Sequence, residues 1–155
     1  MNGKYYLSFV TGLRPKIDYD LNFRNSLIIK GRKIYALNLF DNLFLNLKFY
    51  YKNRDPRETL VDIYEKIKPC ISLAPVKLGA FVYKIPAPIN EKREMVCTIK
   101  WILKPVRNKK KDLNLKSLLN VLHLSLEGKG PAFEKKMSTY RLANDNSHLM
   151  RFLRL

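Results

Sequence analysis

Ile71-Ser-Leu-Ala-Pro-Val-Lys-Leu78, then Gly79-Ala80, then Phe81-Val-Tyr-Lys-Ile-Pro-Ala-Pro88 is the stretch that decides the fold. Two apolar runs meet at a glycine, which is the pattern of a β-hairpin. Pro69 stops what precedes them, and Pro86 with Pro88 bound them on the far side, so a hairpin is expected over about 71–86. Each strand would reach roughly 25 Å at the usual rise per residue. A two-stranded ribbon alone is marginal in water. One that carries Lys77 and Lys84 is therefore expected to be an arm lying along another surface, not the centre of a core.

The chain on either side reads as helix. Residues 1–17 show no period and end in Arg14-Pro15-Lys16, an extended basic arm. A short helix is expected from Asp18 or Asp20 to Ile29, closed where Lys30-Gly31 supplies the left-handed C′ position. From Lys33 to about Tyr51, Ile34, Leu37, Phe40 (or Leu39), Leu43, Phe44, Leu47 and Tyr51 recur at helical spacing and should pack inward. Asp55-Pro56-Arg57-Glu58 is an N-cap, a first-turn proline and a third-position acid, and it opens a helix whose face is Leu60, Ile63, Tyr64 and Ile67. Lys68-Pro69 ends it.

Beyond the ribbon, Asn90 can cap a helix with Met95, Ile99, Ile102, Leu103 and Val106 inward. Pro105 should kink or stop that helix, because it cannot donate to the Trp101 carbonyl and its ring crowds it. Asp112 is expected to cap a helix from Leu113 to Glu127, with Leu115, Leu118, Leu119, Leu122 and Leu126 buried and Gly128 closing it. A last helix should run from Pro131 to about Ser147, before a basic tail over 149–155. The sequence thus predicts a mainly α fold: a single helical domain of about six helices over 18–148, with one protruding β-hairpin arm.

The bulk numbers narrow the function. A chain of 155 residues can bury a real core. Thirty Lys and Arg against thirteen Asp and Glu give +17, and such a charge calls for a polyanionic partner. Apolar stretches such as Leu43-Phe-Leu-Asn-Leu47 are too short to cross a bilayer. Cys70 and Cys97 make neither a disulfide framework nor a metal spacing, and reduced thiols are expected. The abundance of Lys, Asn, Ile, Leu, Phe and Tyr follows AT-rich codons and suggests an organellar genome.

Chemistry is poorly provided for. Asp55, Glu58, Glu91, Glu94, Asp112 and Glu134 fall at helix starts, where capping and the helix dipole account for them, and Asp62 can pair with Lys66 one turn on. His123 lies on a leucine-rich helix and is expected to be a satisfied, half-buried imidazole; His148 lies near a terminus. Gly128-Lys-Gly130 is too short for a phosphate loop and follows a helix, not a strand. The expectation is no catalytic residue, no metal and no cofactor.

The basic residues carry more. Lys30, Arg32 and Lys33 flank a glycine turn, and Lys92 and Arg93 lie at the base of the ribbon. Lys104, Arg107, Lys109, Lys110, Lys111 and Lys116 crowd around a single acid, Asp112. Lys129, Lys135 and Lys136 surround the start of the last helix. With Arg14, Lys16, Lys77 and Lys84, these groups at element ends fit phosphate contacts from several directions.

Five short motifs go further. Glu127-Gly-Lys-Gly-Pro-Ala132, Lys135-Lys136, Arg141-Leu-Ala143 and Asn146 resemble the C-terminal signature of the small-subunit ribosomal protein seven family of bacterial and organellar type. Upstream, Ile67-Lys-Pro69, Val82-Tyr-Lys-Ile-Pro86, Lys92-Arg93 with Lys100-Trp101-Ile102, and the turn Lys30-Gly-Arg-Lys33 are similar to family motifs in the same order. The resemblance implies a structural constituent of the small ribosomal subunit that binds and organises the head (3′ major) domain of its rRNA. It implies a place near the mRNA exit and E-site tRNA, with ribosomal protein eleven as a neighbour.

Lys100 then joins the rRNA contacts. Lys77, Leu78, Gly79 and Ala80 at the tip, and Arg141, Arg151 and Arg154, are expected near tRNA and mRNA. The tip departs from the family's Arg-Arg-Val-Gly-Gly: it reads Val76-Lys-Leu-Gly-Ala80, so Lys77 alone must carry its charge. Composition and resemblance together suggest a mitochondrial ribosome, in the matrix and organelle-encoded, with a plastid as the alternative. The competing function is an RNA-binding or architectural module outside the ribosome, and an RNA-modifying enzyme comes third.

Overall fold

The helix that opens at Asp55 sets the frame. The Asp55 carboxylate accepts a hydrogen bond from the Arg57 amide at 3.0 Å, Pro56 takes the first helical position, and Lys68 ends the run before Pro69. Leu60, Ile63, Tyr64 and Ile67 are all buried, as their spacing requires. A computed structural model describes residues 19–52, 54–109 and 114–152, so the expected arm over 1–17 and Lys110, Lys111, Asp112 and Arg154 lie outside the described residues. Its elements in chain order are α1 (Tyr19–Leu27), α2 (Lys33–Tyr50), α3 (Pro56–Ile67), β1 (Ile71–Leu78), β2 (Phe81–Pro88), α4 (Glu91–Lys109), α5 (Leu115–Leu126) and α6 (Pro131–Asp145). A 3₁₀ turn, Ser147–Phe152, follows.

These six helices and one antiparallel hairpin are the mainly α architecture that the periodicity predicts. α3 packs against all five other helices, and α5 packs against α2, α3, α4 and α6. Phe23, Leu43, Ile63, Ile99, Leu118 and Leu122 converge among these helices with almost no exposed surface. None of the described helices is long and apolar enough to cross a membrane.

Several boundaries and faces differ from expectation. α1 ends at Leu27, two residues early, and both Lys30 and Gly31 take positive φ in the turn to α2. In α2 the inward positions include Ala36 and Leu39, while Ile34 is 76% exposed. That helix has apolar residues nearly all the way round, so its period alone cannot choose the face. α4 does not stop at Pro105 but continues to Lys109. The proline lies one turn from the end and forfeits a single backbone bond, whereas Ile102, Leu103 and Val106 on either side are anchored in the core.

α5 starts at Leu115, with the Asn114 side chain accepting from the Lys116 amide, so Asn114 is the cap and not Asp112. Asp62 pairs with Arg54 at 3.1 Å instead of Lys66, whose ammonium donates to the Leu126 carbonyl. Leu149 to Phe152, expected to begin a tail, belong to the 3₁₀ turn, which packs on β2 and α6.

Tyr64 carries an anomaly worth testing. Its ring stacks on Tyr19 at 4.9 Å and meets Phe23 edge-on, yet its buried hydroxyl has no hydrogen-bond partner among the described residues. Burial first, and then the charges of Asp20 and Tyr19, hold that hydroxyl well above the ordinary tyrosine range, so it stays neutral. An unsatisfied buried hydroxyl costs about 1–3 kcal/mol. Tyr64→Phe keeps the ring contacts and should leave the unfolding free energy unchanged or raise it by about 1 kcal/mol in urea titration. A clear loss of stability would mean that the hydroxyl is paired after all.

Candidate nucleic-acid interface

The ribbon is in register from Ile71 opposite Pro88 to Leu78 opposite Phe81. Its two halves differ. At the root, Ile85 has 0% exposure and lies outside the main cluster, and β2 packs against α6 and the 3₁₀ turn. The Tyr140 hydroxyl accepts from the Cys70 amide at 3.0 Å, and the Asn146 side-chain amide donates to the Lys84 carbonyl at 3.0 Å. Toward the tip, Phe81 and Val82 are more than three-fifths exposed, Tyr83 more than a third, and Lys77 and Lys84 stand in solvent. The expectation of a free arm is thus corrected for its near half, which is clamped to the body, and stands for its far half.

The second feature is a stripe on α4. Arg93, Lys100, Lys104 and Arg107 recur at seven-, four- and three-residue steps, which places them on one side of a helix. All four are exposed, opposite the buried face of Met95, Ile99, Ile102 and Val106. The stripe is about 21 Å long at 1.5 Å per residue and begins beside the ribbon root. Sequence reasoning grouped these cations by proximity along the chain and missed the stripe. The signal that could have found it is the 3.6-residue period of the cations themselves.

Among the remaining basic residues, some are exposed at element ends and others tie elements together. Lys30, Arg32 and Lys33 are exposed around the α1–α2 turn, as are Lys92 at the start of α4, Lys116 on α5 and Lys135 on α6. Arg107 also donates to the Ser26 carbonyl, tying α4 to α1. Lys136 donates to the Lys66 carbonyl at 2.7 Å and lies over the Tyr140 ring, so it joins α6 to α3. Lys129 faces Glu127 at 3.8 Å. Arg141 is exposed on α6, and Arg151 lies over the Phe152 ring. Lys109 is the last residue of α4. These are tertiary placements that spacing along the chain does not reveal.

The motif residues of the last third turn out to be joints. Gly130 has φ +88°, and a Cβ there would meet the Leu124 Cβ at 2.9 Å, so only glycine lets α6 start so close to α5. Ala132 and Ala143 are buried, and Asn146 holds the ribbon. His123 is exposed instead of half-buried, but it is satisfied: its Nδ1 lies 2.7 Å from the Tyr51 hydroxyl and its Nε2 3.5 Å from Glu127. Among the described residues, no group of three or more His, Cys, Asp or Glu side chains is placed to hold a metal ion.

A helical body that presents a basic helix face and a clamped, half-free ribbon is built to hold a folded polyanion by charge and shape. That is the class of scaffold proteins of ribonucleoprotein particles. The family profile described as "Ribosomal protein S7p/S5e" matches residues 19–147, so the chain belongs to that family and is a structural ribosomal protein of the small-subunit kind. It is 28% identical over 130 residues to the small ribosomal subunit protein uS7 of Orientia tsutsugamushi (strain Boryong), covering 81% of this chain and 75% of that one. It is 29% identical over 134 residues to the protein of the same name from Rhodopirellula baltica, covering 84% and 83%. The counterpart from Thermotoga neapolitana is 28% identical over 122 residues, covering 79% and 78%.

Proposed function

We propose that this chain organises the head (3′ major) domain of small-subunit rRNA, with its ribbon directed toward the mRNA exit and E-site tRNA. The α4 stripe, ending at the ribbon root, carries this reading, because it is a continuous line of cations on a face that no part of the core uses. Arg93, Lys100, Lys104 and Arg107 would meet phosphates along the stripe, with Lys92 beside its start and Lys30, Arg32 and Lys33 at the first turn. Lys116, Lys129 and Lys135 would meet them around the ends of α5 and α6, and Lys136 would add a contact only through the donors its tether to Lys66 leaves over. Arg14, Lys16, Lys109, Lys110 and Lys111 would extend the contact.

Lys77, Lys84 and the tip from Leu78 to Ala80 would reach toward tRNA and mRNA, with Arg141, Arg151 and Arg154. Ribosomal protein eleven would be the neighbour. The mechanism is charge neutralisation and fit to folded RNA, with no turnover. The ribosome in question is cytoplasmic or organellar, and the AT-biased composition favours a mitochondrial one.

Replacing Arg93, Lys100 and Lys104 together by Ala tests the stripe. Log affinity for a head-domain rRNA transcript, plotted against log salt, should lose about 2–3 units of slope, since each neutralised phosphate contributes roughly 0.7–0.9. The melting temperature should hold, because all three side chains are exposed. An unchanged slope would remove α4 from the interface. Sedimentation decides against the competing module outside the ribosome, which would stay at the top of a gradient while a ribosomal protein moves with small subunits.

A further inference from the structure

The end of α2 and the outer face of α5 enclose a cavity of about 380 Å³ that the α4 stripe and ribbon do not include. Tyr50 and Tyr51 come from the first element, and Lys116, Leu119, Asn120 and His123 from the second. The volume is at the lower end of the small-ligand range, enough for one base with its ribose and too little for a helix. Tyr50 is 71% exposed at the mouth. Beside it, the Tyr51–His123 hydrogen bond of 2.7 Å fixes two rings as a wall, tilted 39° to each other. Burial, and then the nearby Glu127 charge, raise the Tyr51 hydroxyl above its ordinary range, so it remains a neutral partner.

The chemistry of the lining selects the occupant. Leu119 and the tyrosine rings are apolar surfaces on which a flat ring can stack. Asn120 offers both a donor and an acceptor, and Lys116 brings a cation. No carboxylate lines the cavity among the described residues. An apolar protein side chain would bury the Asn120 amide and the Lys116 ammonium without partners, which is costly. An unpaired nucleotide satisfies all three features, as exposed aromatics beside cations do in single-strand recognition.

We propose that this cavity receives one unpaired nucleotide of the rRNA, its base stacked on Tyr50, its edge bonded by Asn120 and a flanking phosphate held by Lys116. The inference rests on the RNA-binding reading and adds a site specific for unpaired RNA to it.

The test uses the full chain and two end-labelled probes, a single-stranded adenosine oligonucleotide and an RNA duplex of equal length, followed by fluorescence anisotropy. Stacking on one aromatic ring contributes about 1–3 kcal/mol, so Tyr50→Ala should weaken single-strand binding by at least about 5-fold. Duplex binding should be unchanged, and Tyr50→Trp should restore the single-strand affinity. Lys116→Ala should also weaken single-strand binding, with a smaller salt slope. Tyr50 is mostly exposed, so an unchanged melting curve is expected for its variants.

No loss with Tyr50→Ala, an equal loss on both probes, or no rescue by Trp overturns the pocket while leaving the RNA-binding reading in place. Wild-type protein that binds neither probe overturns that reading instead. If Tyr50→Ala binds both RNAs normally but is released from small subunits by a milder salt wash, the cavity holds a protein neighbour and the proposal fails.

Discussion

Raising the salt from about 50 to about 200 mM should weaken binding of this chain to a head-domain rRNA transcript by roughly 10³- to 10⁵-fold. That range corresponds to roughly 6–10 phosphates neutralised, each releasing condensed counterions when a cation takes their place. The exposed cations on α4, around the α1–α2 turn and along the far half of the ribbon supply that number without calling on the tethered Lys136. The measurement is a series of affinities at fixed temperature and pH. A nearly flat dependence would mean that apolar contacts, through the exposed rings of Phe49, Tyr50 and Phe81, hold the complex instead. In that case the +17 charge would act on encounter rate and solubility alone.

Leu122→Ala should remove about 2–5 kcal/mol from a total stability on the order of 5–15 kcal/mol. Leu122 has 0% exposure and sits on α5, which touches α2, α3, α4 and α6. A void at that crossing cannot be closed by moving one neighbour, so the cost belongs toward the upper end of the range. In urea titration the midpoint should fall sharply with little change in slope. Leu142→Ala on α6 is the control, because its side chain is 41% exposed and should cost little. A small effect at Leu122 would show that the four helices around α5 can close over the void.

Legibility in the sequence followed the strength of local signals. α3 has a cap, a first-turn proline and a clean apolar face, and all four of its expected core residues are buried. α4 has as clean a face, and Met95, Ile99, Ile102, Leu103 and Val106 are buried as expected. The ribbon was readable because glycine and prolines bracket two apolar runs, although β2 reaches Pro88 instead of ending at 86. α2 was harder, since Ile34, Leu45 and Phe49 are as apolar as Ala36 and Leu39 and only tertiary contact separates exposed from buried. At α5, Asp112 and Asn114 are both competent caps, and the nearer one took the role.

The candidate site was legible as charge and illegible as geometry. Counting cations identified a polyanion partner but could not say that Lys136 spends its ammonium on the Lys66 carbonyl, seventy residues away. Nor could it show that Arg107 reaches the end of α1, or that Tyr51 and His123 meet across two helices. Each of these is a contact between elements far apart in sequence, and no periodicity encodes it. The family signature had a similar blind spot: Gly130 and Asn146 read as motif letters, whereas their work is steric fit and holding the ribbon.

The hairpin also has a consequence for the protein before it meets any partner. A two-stranded sheet has no interior strand, so along the far half of the ribbon both edges lie open and could template pairing with another chain. Pro75 in β1 and Pro86 and Pro88 in β2 each lack a backbone donor, which interrupts any ladder that a neighbouring strand would try to build. Lys77 and Lys84 add like-charge repulsion between copies. The apolar rings near the tip are thus displayed on a scaffold whose edges resist edge-to-edge pairing with another copy.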